Sequence, residues 1–167
     1  MSNPKIDLFV EQLSKARQDT LKAASAVPDS ARLLQLKPGK ATPLWLVGHL
    51  ANTVNTVVLR WMLDVPGVLS REQAMLFAPD FAGGAPVSAD ANQYPAWSEV
   101  VALYDKAMSS VLEQLPKNLS DNDLPAPLKR APEPMRTFFS SNGVTLMQMV
   151  SHDAYHRGQI GLLAKLG

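Results

Sequence analysis

Prolines bracket four long stretches in which apolar residues recur at helical spacing, and nowhere does the chain alternate apolar and polar over strand length. The first stretch opens at Asn3-Pro4, a cap followed by proline at the first helical position. It carries Ile6, Phe9, Leu13, Ala16 and Leu21 at helical intervals up to Val27-Pro28. The second starts in the same way at Thr42-Pro43 and is expected to run to about Leu63, where "DVPG" stops it. The third begins near Tyr94-Pro95 and ends around Leu115-Pro116, and the fourth spans about Gly143 to Lys165.

Short elements fill the gaps. "DSARLLQL" reads as a helical turn, and "SREQAMLF" as a minor helix with Ser70 and Gln73 spaced as a capping box. Residues 78 to 93 read as loop. The connection before the fourth helix carries Pro125, Pro127, Pro132 and Pro134, which forbid a regular helix. Its length exceeds what a compact domain normally needs, so it is expected to cover something. The expectation is an all-α chain, one domain over residues 1–167, built as an antiparallel four-helix bundle with long connections.

Composition sets the exclusions. The 16 Lys and Arg against 15 Asp and Glu are spread along the chain, with no basic run to follow a phosphate backbone, so no nucleic-acid partner is expected. With no cysteine, disulfides, thiolate ligands and a cysteine nucleophile are excluded together. A reducing cytoplasm is the default location, and the opening "MSNPKIDLFVEQ" lacks the apolar run of a signal peptide. Residues 41 to 59 carry no formal charge, but Thr42, His49, Asn52, Thr53, Asn55 and Thr56 make them too polar to face lipid. No membrane partner is expected.

All three histidines lie on two of the helices: His49 in "LWLVGHLANT", and His152 and His156 in "SHDAYHRGQI". Four residues apart on a helix, His152 and His156 stand one above the other and can share a small cation. They can equally be separate core imidazoles with satisfied hydrogen bonds. The neighbouring residues bear on the choice. Thr145, Gln148, Tyr155, Gln159 and Leu163 share their stripe, with Arg157, Lys165, Val150 and Gly161 opposite. On the second helix, Trp45, Asn52, Thr53, Thr56 and Arg60 accompany His49, with Val47, Leu50, Ala51, Val54, Val58 and Trp61 behind.

Two nearly uncharged polar stripes on otherwise apolar helices imply a shared internal pocket. Three imidazoles on one ion would leave a fourth position open, as in catalytic sites, and suit Zn, Ni, Cu or Fe alike. "HDAYH" also approaches the zinc-protease pattern, but Asp153 is shorter than the required Glu, and residues 157 to 167 hold no third ligand.

"PLWLVGHLANTVN" and "VSHDAYHRGQIGLLAKLG" together resemble the DinB superfamily (DinB/YfiT-like), over essentially the whole chain. The resemblance implies an up-down-down-up four-helix bundle, frequent homodimers, and a divalent metal, often zinc or nickel, on His49, His152 and His156. It further implies thiol-dependent transferases and isomerases using bacillithiol, mycothiol or glutathione. Several relatives carry an acidic residue shortly after the helix-two histidine, where this chain has Asn52 and Thr53, so that carboxylate's role does not carry over.

The functional expectation is a metal-dependent thiol S-transferase or hydrolase acting on a small-molecule substrate, with a low-molecular-weight thiol as cofactor. Arg60, or Lys129, Arg130 and Arg136, would hold its carboxylates. The alternative is a non-catalytic, stress-linked metal-binding or interaction module, its site closed by Asp153 or, more weakly, Gln148, Gln159 or Tyr155. A homodimer is expected from the surplus of apolar residues on helix two, notably Leu50, Val58 and Trp61.

Overall fold

The computed structural model describes residues 3–167; Met1 and Ser2, part of the opening stretch considered above, lie outside them. Four long helices form the bundle: α1 (Pro4–Ser25), α2 (Pro43–Thr53) with its continuation Val54–Met62, α4 (Trp97–Asn118) and α6 (Asn142–Leu166). Two short ones, α3 (Arg71–Leu76) and α5 (Glu133–Arg136), lie in the connections. The expected starts at Pro4 and Pro43 hold, although the Asn3 side chain makes no capping bond, and the third helix begins slightly later than expected, at Trp97. Pro4 and Pro43 occupy first-turn positions, the Thr42 hydroxyl accepts from the Trp45 amide, and Ser70 and Gln73 form the capping box of α3.

Three boundaries differ from expectation. The turn at "DSARLLQL" is only a 3-10 turn at Asp29–Ala31. Helix α4 continues past Pro116 to Asn118, because a proline removes one amide donor but the Leu119 amide still reaches the Leu115 carbonyl. One helical turn, α5, also forms among the prolines, with Pro134 in its first turn where no amide donor is needed.

Each of α1 and α2 packs between α4 and α6, so the four helices form a square with α1 diagonal to α2. The Asp121 carboxylate, just after α4, accepts from the Lys5 and Ile6 amides at the start of α1, which makes those two helices antiparallel. The start of α6 meets the same end through Gly143 N to Leu124 O, and its last residue, Gly167, accepts from Ser30 beyond the end of α1. Helices α1 and α6 are therefore parallel. The Leu44 amide meets the Arg32 carbonyl, which points α2 the other way. The topology is up-down-down-up, with the parallel neighbours α1/α6 and α2/α4, rather than antiparallel throughout.

The core runs through Leu13, Leu46, Leu50, Tyr104, Met108 and Leu146, all fully buried. Leu50 and Val58, expected to be surplus on helix two, are 2% and 0% exposed within the single chain. Trp61 packs edge-on against Phe139. The bundle itself consumes the apolar back of helix two, so the reason first given for a dimer falls away. No helix among the described residues is long and apolar enough to cross a membrane.

From Val54 the second helix unwinds into π-helical turns that last to Met62. Wider turns rotate the later residues around the axis, and such segments concentrate at functional sites. An α-helical register would carry Arg60 onto the stripe of His49. Instead Val57 and Trp61 face the cavity described below, while the Arg60 guanidinium turns to the Leu69 carbonyl at 2.8 Å.

Candidate metal centre

The bundle brings all three histidines together. His49 Nε2 lies 3.2 Å from His152 Nε2, which lies 3.0 Å from His156 Nε2. Among the described residues this is the one group of three or more His or carboxylate side chains close enough to share an ion. Ligand nitrogens at the corners of a tetrahedron with bonds of about 2.1 Å stand roughly 3.4 Å apart, close to what the imidazoles already adopt.

Their outer nitrogens explain the orientation. His49 Nδ1 sits 3.1 Å from the Phe77 carbonyl, to which it must donate, leaving Nε2 a bare lone pair. His156 Nδ1 likewise donates to Gln159 Oε1 at 2.6 Å. His152 Nε2 lies between these two acceptors and, as a neutral ring, can give a proton to only one of them. A divalent cation would satisfy all three lone pairs at once, and the oxygens behind two of the rings, those of His49 and His156, are the usual support for such an ion.

Two packing features hold His49 in place. Trp45 stacks flat on its ring, 4.7 Å between centroids. Phe77 lies directly against Gly48, where any Cβ would intrude on the ring.

Burial tunes the site toward ligation. It pushes His49 down to about 4, with the nearby His156 adding to the effect and the Phe77 carbonyl opposing it. Burial, then His156 and His49, lowers His152 to about 3. His156 is lowered by burial as well, against its bond to Gln159. All three rings are neutral at pH 7, the state a metal requires.

The sequence-derived stripe on α6 needs correction. Thr145 and Leu163 are buried as expected, but the buried line also runs through Leu146, Met149, Asp153 and Ile160, and the histidines sit half-buried on its flank. Tyr155, expected inside, is 64% exposed. Arg157, expected on the outer side, turns inward to Asp153 at 3.0 Å. Asp153 itself faces away from the imidazoles, accepting from Thr20 at 2.7 Å and Tyr104 at 2.6 Å. Burial pushes its carboxyl up, opposed by Tyr104, Thr20 and the Arg157 charge.

This buried network, tying α6 to α1 and α4, was missed from sequence. Its residues are 49 and 133 positions apart, and the one local signal was Asp153 and Arg157 at helical i,i+4 spacing. Asp153 is thus neither a fourth ligand nor a base. Gln159 is engaged at His156, whereas Gln148 donates its amide to the Phe138 carbonyl and its buried Oε1, on a residue of the cavity wall, has no hydrogen-bond partner among the described residues.

The imidazoles form part of the wall of a cavity of about 970 Å³ between α2 and α6. The long proline-rich connection contributes Pro132, Pro134, Met135, Phe138 and Phe139, and the 78–93 loop adds Phe81, so the expectation that the connection covers something holds. Asn52 and Thr56 lie on the wall, with the Thr56 hydroxyl donating to Asn52. Among the described residues, no Lys, Arg, Asp or Glu lines it.

The cations expected to hold a cofactor's carboxylates are engaged elsewhere. Besides Arg60, Lys129 reaches the Leu63 carbonyl, Arg130 pairs with Asp64, and Arg136 meets the Ala131 carbonyl and Glu133. The reason is the rotation of the π-helical segment together with the way the connection folds back on the end of helix two.

No curated protein matches the chain at a significant level. The family model described as the DinB superfamily matches residues 12–160. That span takes in the histidine pair on α6, His49 and the connections that close the cavity, and the chain belongs to the DinB superfamily.

Proposed function

We propose that this chain is a divalent-metal enzyme of the thiol S-transferase type, with His49, His152 and His156 as the protein ligands and a fourth position left for a small-molecule thiol or water. The observation that carries the reading is the meeting of three Nε2 atoms, two of them stripped of protons by bonds on the far side of the ring. Imidazole donors suit zinc or nickel. Bound there, such an ion supplies Lewis acidity, lowering the pKa of the thiol or water beside it.

The chain's own residues do the rest. Phe77 and Gln159 fix the tautomers of His49 and His156, and Trp45 holds the first of these rings in plane. Without a cysteine, the sulfur arrives on a small molecule. Without a carboxylate on the wall, and with all three imidazoles taken as ligands, proton transfer falls to the substrate itself. The aromatic and proline side chains of the connection keep bulk water from the reacting group.

A closed, structural site, as a non-catalytic stress-linked module would have, needs a fourth donor: Asp153 is turned away, Gln159 is held by His156 and Tyr155 is exposed, which leaves the weaker amide oxygen of Gln148. The reading includes a homodimer, as the family resemblance implies, and a cytoplasmic location. Sedimentation at micromolar concentration tests the dimer.

The decisive experiment uses protein purified without a histidine tag and loaded with Co(II). A sulfur-to-metal charge-transfer band is expected with at least one low-molecular-weight thiol and should vanish in His152→Ala. A protein that takes up no ion, or shows no band with any thiol, ends the S-transferase reading.

A further inference from the structure

We infer that the cavity beside the histidines takes an uncharged, predominantly apolar molecule with an aromatic or branched alkyl body, and that it rejects anionic ones. The inference deepens the metal-enzyme reading and rests on it for where the reacting group lies, although apolar binding itself needs no ion.

Three observations point the same way. The wall is built from rings and thioethers, with Trp45, Trp61, Phe139 and Met149 inside and Phe138 and Met147 toward the mouth. Its polar groups are confined to the imidazoles and a few neutral side chains such as Asn52, Thr56 and Gln148. Away from the position an ion would hold at the imidazoles, a carboxylate against this wall would meet no side-chain cation, and a buried unpaired charge is strongly disfavoured or neutralised. The nearby cations are already committed, as described for Arg60, Lys129, Arg130 and Arg136.

Size and exposure add to this. At about 970 Å³ the cavity is at the upper end of small-molecule sites, roomy enough for two or three linked rings. Phe81, Phe138 and Met147 are 81%, 60% and 62% exposed around the cavity, apolar surface that a bound ligand would cover. The imidazole cluster on the wall places any reactive head at one end of such a molecule, with its apolar body against Trp61 and Phe139. A charged tripeptide thiol such as glutathione has the wrong chemistry for this wall. An apolar electrophile, or an apolar thiol, has the right one.

Isothermal titration calorimetry on the full chain, both metal-loaded and chelator-treated, tests this with a matched pair of probes. These are 2-naphthylmethanethiol and the same molecule bearing a ring carboxylate, with glutathione as a third ligand. The neutral probe should bind both forms of the protein, more tightly with metal present. The carboxylate analogue should bind at least about tenfold more weakly, the discrimination expected from an unpaired buried charge.

Met147→Lys, at an exposed position on the mouth, should narrow or invert that preference by supplying the missing cation. Met147→Glu should weaken the neutral probe and leave the anionic one weak. Binding of the neutral probe by a protein that never takes up metal would sink the metal-enzyme reading and leave this one standing. Glutathione or the carboxylate analogue binding wild type as tightly as the neutral probe would overturn it. So would no binding of the neutral probe to either form, or a dimer that Met147→Lys dissociates, since the mouth would then be an interface between copies.

Discussion

Gly48 matters more to the histidine cluster than its size suggests. A Cβ built there would lie 2.3 Å from two carbons of the Phe77 ring and 2.5 Å from a third. Ordinary contact begins near 3.4 Å, so in Gly48→Ala the ring or the helix must retreat by about 1 Å. Phe77 has no exposed surface and is stacked against Tyr94, so the movement has no free direction. Overpacking of this kind costs about 1–3 kcal/mol of stability.

The displacement also reaches the histidine cluster, because the Phe77 carbonyl holds His49 Nδ1 at 3.1 Å and a shift of that size breaks the bond. Losing such an outer partner lowers metal affinity about 10–100-fold. Zinc competition against a chromophoric chelator measures this, and urea unfolding of the metal-free protein measures the packing cost separately. Gly158→Ala is the control. Nothing lies within 4 Å of its Cβ, so it should gain up to about 1 kcal/mol from helix propensity and leave affinity unchanged. If Gly48→Ala bound zinc like the wild type, Phe77 would have no part in holding His49.

Further outcomes follow from the same geometry. His152→Ala should lose metal by more than the 10–100-fold of an outer-partner loss while keeping its helical circular dichroism, because the helix faces and not the imidazoles hold the bundle. Unfolded imidazoles titrate near 6.5, whereas burial holds His49 and His152 at about 4 and about 3, so the unfolded state takes up protons first. Stability should therefore be full above about pH 6.5 and fall as pH drops toward 4 and then 3, by up to about 2 kcal/mol per buried imidazole at pH 5. Unfolding midpoints unchanged between pH 7 and pH 5 would contradict that environment. Tyr104→Phe should cost about 1–3 kcal/mol by removing a donor to the buried Asp153 carboxylate, with zinc affinity changed far less than stability. A selective loss of zinc would instead make that network part of the metal site.

Periodicity and proline placement determined much of this protein before any tertiary contact was known. Helix starts at Pro4 and Pro43, the capping box at Ser70, the α6 histidine pair and the absence of strands are properties of local backbone and neighbouring side chains. Those interactions span only a few residues, so a sequence displays them directly. The convergence of His49 with a pair more than 100 residues away could be suspected from the polar stripes, and the family resemblance supplied the ligand set.

Tertiary structure decided the rest. The π-helical turns from Val54 swapped Trp61 for Arg60 on the cavity wall, since a change of less than one residue per turn accumulates into a different face. Asp153 joined Thr20 and Tyr104 rather than the histidines because its direction depends on which neighbours the bundle supplies. The apolar back of helix two met α4 of the same chain, not a second copy, because only the packed bundle decides which surface is left over. The charge-free wall arose the same way: each nearby cation found a carbonyl or carboxylate brought to it by the fold, and spacing along the chain contains no trace of those partners.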